Sequence, residues 1–299
     1  MPRTYTRHFR VRHYECDIYG HLNNVNYVRY MQEAALDASA DAGWPVARYD
    51  RIGHGWFVRE TEIDYLKPLS HTERVGITTW VEDVRRVRSL RRYEFRREGE
   101  DDLAARASSE WVYINLETHQ PTHVPDEVIY AYAPEGPPEH TNSRGHFPTL
   151  PPQPAGAFTQ RHHVAWRDLD TAGHMNNACY LEYFEDAAAE FARPYGWPIQ
   201  RMIEAGFGMV LRHMHIQYLQ PALLDEEIEV ATWFSGLHSF RVNRHFTMTR
   251  IRDGALLARA TSLWVCIDLA TKRPMRAPKA YVEACAPNGA LTSDSGHRR

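Results

Sequence analysis

The polar string CDIYGHLNNVNY at residues 16–27 returns as LDTAGHMNNACY at residues 169–180. Asp17 and Asp170 stand 153 positions apart, and the same offset pairs Gly43-Trp44-Pro45 with Gly196-Trp197-Pro198 without a gap. It also pairs Tyr65, Leu66 and Pro68 with Tyr218, Leu219 and Pro221, and Thr79-Trp80 with Thr232-Trp233. Trp111 falls on Trp264, and Thr118 and Pro121 fall on Thr271 and Pro274. Self-similarity at one fixed period means that one structural unit is used twice. The copies are expected at residues 5–132 and 158–285. Between them, residues 133–157 (APEGPPEHTNSRGHFPTLPPQPAGA) are rich in proline and lack apolar periodicity, which marks a linker. In a polyproline-like conformation, at about 3.1 Å per residue, such a linker spans a domain and lets the copies pair as a dimer would. Residues 286–299 are expected to be a disordered tail.

Bulk properties narrow the class. The chain is 43% hydrophobic and 24% charged, ample material for a core, and its net charge of −3 gives no sign of a nucleic-acid binder. The N-terminal residues carry no long apolar stretch and no later segment has the run a membrane helix needs, so no membrane association is expected. Four cysteines, Cys16, Cys179, Cys266 and Cys285, show no ligand spacing, which argues against zinc or a disulfide framework. A cytoplasmic protein with reduced thiols and no cofactor is the expectation.

Each copy reads as the same order of elements. A short alternating strand (RHFRVRHYE; TQRHHVAWR) leads into the polar loop. A helix follows, with Val25, Val28, Met31 and Ala35, or Ala178, Leu181, Phe184 and Ala188, at spacings of three and four. Tyr27, Tyr30 and Ala34, with Tyr180, Tyr183 and Ala187, add a second apolar flank, leaving only a narrow polar stripe. A helix apolar around most of its girth must be wrapped. Gly43 and Gly196 are expected to stop it. Four strand-like runs come next in the first copy (WFVRETEIDYL, RVGITTWVEDV, RSLRRYEFRRE, AARASSEWVYINL), with matching runs in the second. The connections REGEDD and IRDGA read as hairpins. The fold class is α+β: two tandem domains, each a central helix wrapped by a curved antiparallel sheet.

The pattern D-x-x-GH-x-NN-x-x-Y entering a helix, followed by VRETEIDYLKP and SSEWVYINLETHQP, resembles the hotdog-fold acyl thioesterases. More narrowly it is similar to the 4-hydroxybenzoyl-CoA thioesterase-like and tandem acyl-ACP thioesterase groups, over both repeats. The resemblance implies hydrolysis of an acyl-CoA or acyl-ACP thioester. It also implies that the two domains pair within the chain as relatives pair in dimers, with active sites between two helices and further self-association left open.

By the same resemblance Asp17 and Asp170 match the catalytic carboxylate, as nucleophile or base, and the backbone N–H near Asn24 or Asn177 matches the oxyanion site. The first N–H groups of a helix are a ready place for developing negative charge. His21 and His174 either donate to the substrate or tie the loop down. Asn23 and Asn176 belong to the candidate substrate-binding set, although capping is the simpler account. Gly20 and Gly173 serve the turn or the close approach of a ligand. Glu185 matches a helix carboxylate of relatives, but Gln32 is its counterpart and a solvated face explains both. Plant acyl-ACP enzymes carry an Asn two residues after the Asp, where this chain has Tyr19 and Ala172. No cysteine recurs between the copies. The repeated arginines Arg88, Arg91, Arg97, Arg241, Arg244 and Arg250 are either phosphate contacts or exposed strand positions. The aromatic load (Trp44, Trp56, Trp80, Trp111, Trp197) is ascribed to core packing. A hotdog hydratase and a non-catalytic acyl-thioester-binding protein are the alternatives.

Overall fold

The computed structural model describes residues 2–136, 145–238 and 240–290. They form two compact units that divide between His146 and Phe147. The first unit runs β1 (Thr4–Arg10), a 3₁₀ turn His13–Glu15, α1 (Asn24–Asp41), α2 (Val46–Arg51), β2 (His54–Tyr65), β3 (Arg74–Arg85), β4 (Arg88–Arg97), β5 (Leu103–Asn115) and α3 (Asp126–Tyr132). Its strands make one antiparallel sheet in the order β1-β3-β4-β5-β2. The second unit repeats the series as β6 (Phe158–His163), a turn Trp166–Asp168, α4 (Asn177–Glu190), α5 (Ile199–Glu204), β7 (Phe207–Tyr218), β8 (Glu227–His238), β9 (Arg241–Arg250), β10 (Leu256–Asp268) and α6 (Lys279–Cys285). Its sheet order, β6-β8-β9-β10-β7, is that of the first unit.

The helix of each unit is the core. Val25, Tyr27, Val28, Tyr30, Met31, Ala34, Ala35 and Ala38 of α1 are all buried, and each large apolar side chain taken from water contributes about 1.5–3 kcal/mol. Tyr27 meets Tyr65 and Phe95 of the sheet with ring centroids 5.1 and 5.3 Å apart. In the second unit Tyr180 meets Tyr218 at 5.2 Å and Phe184 meets Phe246 at 5.0 Å.

Two boundaries depart from the sequence reading. The entry strands end at Arg10 and His163, before the alternation does, because His13–Glu15 and Trp166–Asp168 turn into 3₁₀ geometry. Helix α1 runs up to its glycine stop, Gly43 at φ +82°, but α4 ends at Glu190, short of Gly196. Pro194 explains the difference, since it has no N–H to bond the Glu190 carbonyl and its ring would clash there.

The tail also begins later than expected. Ala286–Asn288 form a 3₁₀ turn, and β11 (Gly289–Ala290) pairs in parallel with Phe234 and Ser235 of β8. The side chain of Asn288, fully buried, donates to the Thr232 carbonyl at 3.2 Å and to that of Gly156 at 3.5 Å. Residues 291–299, like 137–144 of the linker, lie outside the described residues. The second half of the linker belongs to the second unit: Phe147 packs edge-on against His215 at 4.8 Å and lies under the guanidinium of Arg259 at 4.6 Å.

Of the tryptophans, Trp44 and Trp197 are core, whereas Trp56, Trp80 and Trp111 are half-buried. Trp166 points into solvent, 80% exposed.

Candidate active site

In each unit the polar string folds into a small closed loop at the start of the buried helix. Its neck is made by the Asn23 N–H donating to the Glu15 carbonyl at 2.9 Å, matched by Asn176 to Asp168 at 2.8 Å. Bridges Cys16–Leu22 and Leu169–Met175 form the next rung. The third rung is Asp17 N–H to the His21 carbonyl at 2.7 Å, and Asp170 N–H to that of His174 at 3.0 Å. The aspartate backbone thus lies two rungs, or about 7 Å at strand-like spacing, from the first residues of the helix. The tip closes as a turn in which the Gly20 and Gly173 N–H groups return to the Asp17 and Asp170 carbonyls, both at 3.0 Å. Both glycines have φ +79°, a conformation that side chains resist, so the turn accounts for them.

The carboxylates are partly engaged. Oδ1 of Asp17 accepts the N–H groups of Tyr19 at 2.8 Å and His21 at 3.1 Å. Oδ1 of Asp170 accepts that of Ala172 at 2.9 Å and lies 3.8 Å from Nδ1 of His174. The Oδ2 atoms of both aspartates have no hydrogen-bond partner among the described residues. Both residues are half-buried, as are His21 and His174. The backbone of His21 bridges that of Ser70, tying the loop to the segment before β3.

At the helix start Asn23 and Asn176 are caps. Their Oδ1 atoms accept the N–H of Val25 and of Ala178, both at 2.9 Å. In α4 the Cys179 N–H bonds the Asn176 carbonyl at 2.9 Å, so the N–H of Asn177 is the one in this turn that the cap does not take up. Tyr65 and Tyr218 donate their hydroxyls to the carbonyls of Asn24 and Asn177 at 3.4 and 3.2 Å, fixing those peptides against the sheet.

Two pairs in this neighbourhood escaped the sequence reading. Glu15 and Asp168 are buried, and each accepts a tyrosine hydroxyl at 2.6 Å, from Tyr30 and Tyr183. The sequence places these tyrosines on an apolar flank, but their hydroxyls are held by a carboxylate. Burial, and then the neighbouring acid, raise the pKa of both phenols, so they remain donors. The signal was present in the repeat itself, since an acid at 15/168 and a tyrosine at 30/183 recur at the common offset.

The arginines divide differently from the expectation of exposed positions. Arg91, Arg244 and Arg250 are buried. Arg97 pairs with Glu73 at 3.1 Å and Glu100 at 2.6 Å, and Arg250 pairs with Glu226 and Asp253, each at 3.0 Å. Arg244 lies over the ring of Phe191 at 3.7 Å near the end of α4, and burial lowers its pKa to about 10. Arg88 and Arg241 are exposed. Glu185 and Gln32 are half-buried, so a fully solvated face does not describe them. Among the described residues no cluster of His, Cys, Asp and Glu fits a metal, and no helix is long and apolar enough to cross a membrane.

A family model described as the thioesterase-like superfamily matches residues 11–132 and again residues 164–285. The acyl-CoA thioester hydrolase YbgC of Escherichia coli O6:H1 is 28% identical over 120 residues, covering 40% of this chain and 88% of that protein. Among solved structures, the 12:0-ACP thioesterase from Umbellularia californica aligns with a TM-score of 0.70 at 18% identity, over 87% of this chain and 96% of its own. An acyl-ACP thioesterase from Bacteroides thetaiotaomicron gives 0.68 at 18% identity, over 87% and 97%. At such identities the likeness is one of fold: two tandem hotdog domains.

Proposed function

This chain belongs to the thioesterase-like superfamily, and from that premise we propose that it hydrolyses an acyl-CoA or acyl-carrier-protein thioester to the free acid and the thiol. One observation carries the reading. Each repeat holds an aspartate on a hydrogen-bonded loop closed onto the start of a buried helix, with Oδ1 held by two backbone amides in Asp17 and by one in Asp170, and Oδ2 unpaired among the described residues. A carboxylate oriented through one oxygen has the other directed at chemistry. Asp17 and Asp170 either take a proton from the attacking water or attack the acyl carbon themselves. In the first route water adds to the acyl carbon, the C–S bond breaks to give the acid, and the sulfur takes up the proton that the aspartate accepted. In the second the C–S bond breaks as a mixed anhydride forms on the aspartate. Water then hydrolyses the anhydride to the acid, while a proton from that water ends on the thiol. The first-turn N–H of Asn177 receives the charge that builds on the thioester oxygen, helped by the helix dipole. Asn23 and Asn176 hold the helix starts in place as caps, and no metal or cofactor is needed.

The test is thiol release from a panel of acyl-CoA and acyl-ACP substrates by wild type, Asp17→Asn, Asp170→Asn and the double variant. Loss of one general base or nucleophile costs about 100-fold or more in kcat, so the double variant should be nearly inactive and each single variant should keep the other site's share. A double variant with wild-type turnover overturns the assignment. The same panel identifies the acyl chain and the carrier. Release of thiol, rather than formation of an enoyl product, separates hydrolase from hydratase.

A further inference from the structure

Glu15 and Asp168 sit at a crossing that neither catalysis by aspartate nor packing accounts for. The carboxylate of Glu15 accepts the Tyr30 hydroxyl at 2.6 Å and the Arg12 N–H at 2.8 Å, while its carbonyl accepts the Asn23 N–H at 2.9 Å and the Asn26 side-chain amide at 3.0 Å. One residue therefore joins the end of the 3₁₀ turn, the neck of the aspartate loop and the second turn of α1. Asp168 does the same: Tyr183 hydroxyl at 2.6 Å, Ala165 N–H at 2.9 Å, Asn176 N–H at 2.8 Å. The tyrosines are themselves anchored. Tyr30 stacks on Phe9 of β1 at 4.2 Å with the rings 6° from parallel, and Tyr183 lies against His162 of β6 at 4.8 Å. A buried carboxylate is costly unless it is hydrogen-bonded, and the same costly arrangement occurs twice in one chain with a glutamate in one copy and an aspartate in the other.

We propose that Glu15 with Tyr30, and Asp168 with Tyr183, are positioning pairs that set the distance and orientation between the aspartate loop and the amides at the start of the helix. The inference rests on the thioesterase reading and adds two residues per site to it. The two acids stand two positions upstream of the reacting carboxylates and, with their tyrosines, act through the loop. The pairs need not hold equally well. The Asn26 amide that supports the Glu15 carbonyl corresponds to the thiol of Cys179 in the second repeat.

Tyr30→Phe/Tyr183→Phe keeps both rings and their stacking while deleting the hydroxyls. Misplacing a catalytic group by about 1 Å costs up to about 100-fold, so this double variant should lose about tenfold or more in kcat with KM changed less than about threefold. The loop amides should also exchange hydrogen faster over residues 16–23 and 169–176 than in wild type. Wild-type kcat and unchanged loop exchange in the tyrosine variant overturn the proposal. If kcat falls together with a broad, non-cooperative unfolding transition, the pairs are merely structural and the proposal fails. The Asp17→Asn/Asp170→Asn variant in the same assay keeps the two ideas apart. Activity lost there but retained in the tyrosine variant sinks the positioning role alone, while activity retained in the aspartate variant sinks the catalytic assignment of Asp17 and Asp170.

Discussion

At the scale of single residues, the two repeats act as internal controls for each other. Gly20 and Gly173 share φ +79°, Asn23 and Asn176 share the cap, and the aspartates share the Oδ1 anchor, so these features follow from the string D-x-x-GH-x-NN alone. Replacing the caps, Asn23→Ala or Asn176→Ala, should lower stability by about 1 kcal/mol each, seen as a small drop in the denaturation midpoint. If the helix amides hold the reacting oxygen, the same change should also reduce kcat. The string was legible because polar residues at a loop have few packing constraints and are retained for backbone geometry or chemistry. Glu15 and Tyr30 were not, because an acid beside a more prominent aspartate in HYECD and a tyrosine on an apolar helix each have a bland reading until the chain brings them within 2.6 Å. Arg91 and Arg244 depart from exposed strand positions for a related reason, whereas Arg88 and Arg241 keep to them: alternation along β4 and β9 does not tell which face the helix covers, and Arg91 and Arg244 take the covered one.

Elements were legible where one periodicity ran undisturbed. The four strand runs after each helix become β2–β5 and β7–β10 within about two residues, since alternation with a period of two is a direct consequence of the pleat. Short helices α2, α3, α5 and α6 left no mark on the reading, being six or seven residues long and carrying too few turns to show a helical period. Local chemistry accounts for what differs between copies. Pro194 shortens α4, and the repeated Arg48 and Arg201 reach back to the Gly43 and Gly196 carbonyls, at 3.0 and 2.6 Å, to clamp the bend after each helix. In the second unit Gly156 lies so close to the chain end that an added Cβ would collide with the carbonyl oxygen of Pro287. Gly156→Ala should therefore destabilise the second unit by about 1–3 kcal/mol, whereas Gly145→Ala, with open space around it, should not. Thermal unfolding of the two variants checks this directly.

At the scale of the molecule, duplication has allowed each copy to adapt to its surroundings. On the sheet face opposite the helix, the first unit pairs Arg92 with Glu82 at 2.7 Å, both side chains partly exposed. The corresponding positions of the second unit hold His245 and Ser235, hydrogen-bonded at 2.8 Å, with Thr261 on the other ring nitrogen at 3.2 Å. His245 is buried in the same cross-sheet row as His215, against which the linker residue Phe147 packs. Neutral partners avoid the desolvation cost of a buried ion pair. Burial first, and the adjacent Arg244 second, push the His245 pKa down from 6.5 to about 4. The unfolded chain thus binds a proton that the folded chain refuses between those values. Stability is complete above pH 6.5 and falls as the pH drops toward 4, by on the order of 3 kcal/mol. His245→Gln should flatten that slope in a series of urea melts. Homology of the halves would place the natural end of the second repeat at Cys285, yet on the edge of β8 away from β9, β6 pairs Glu227–Thr232 and, among the described residues, it is residues 289–290 that pair Phe234 and Ser235. Trimming the gene at the last repeated codon would uncover bare amides and carbonyls there, an adhesive margin for another chain. Such a shortened protein should scatter light and elute early in size-exclusion chromatography, and restoring five residues should cure it.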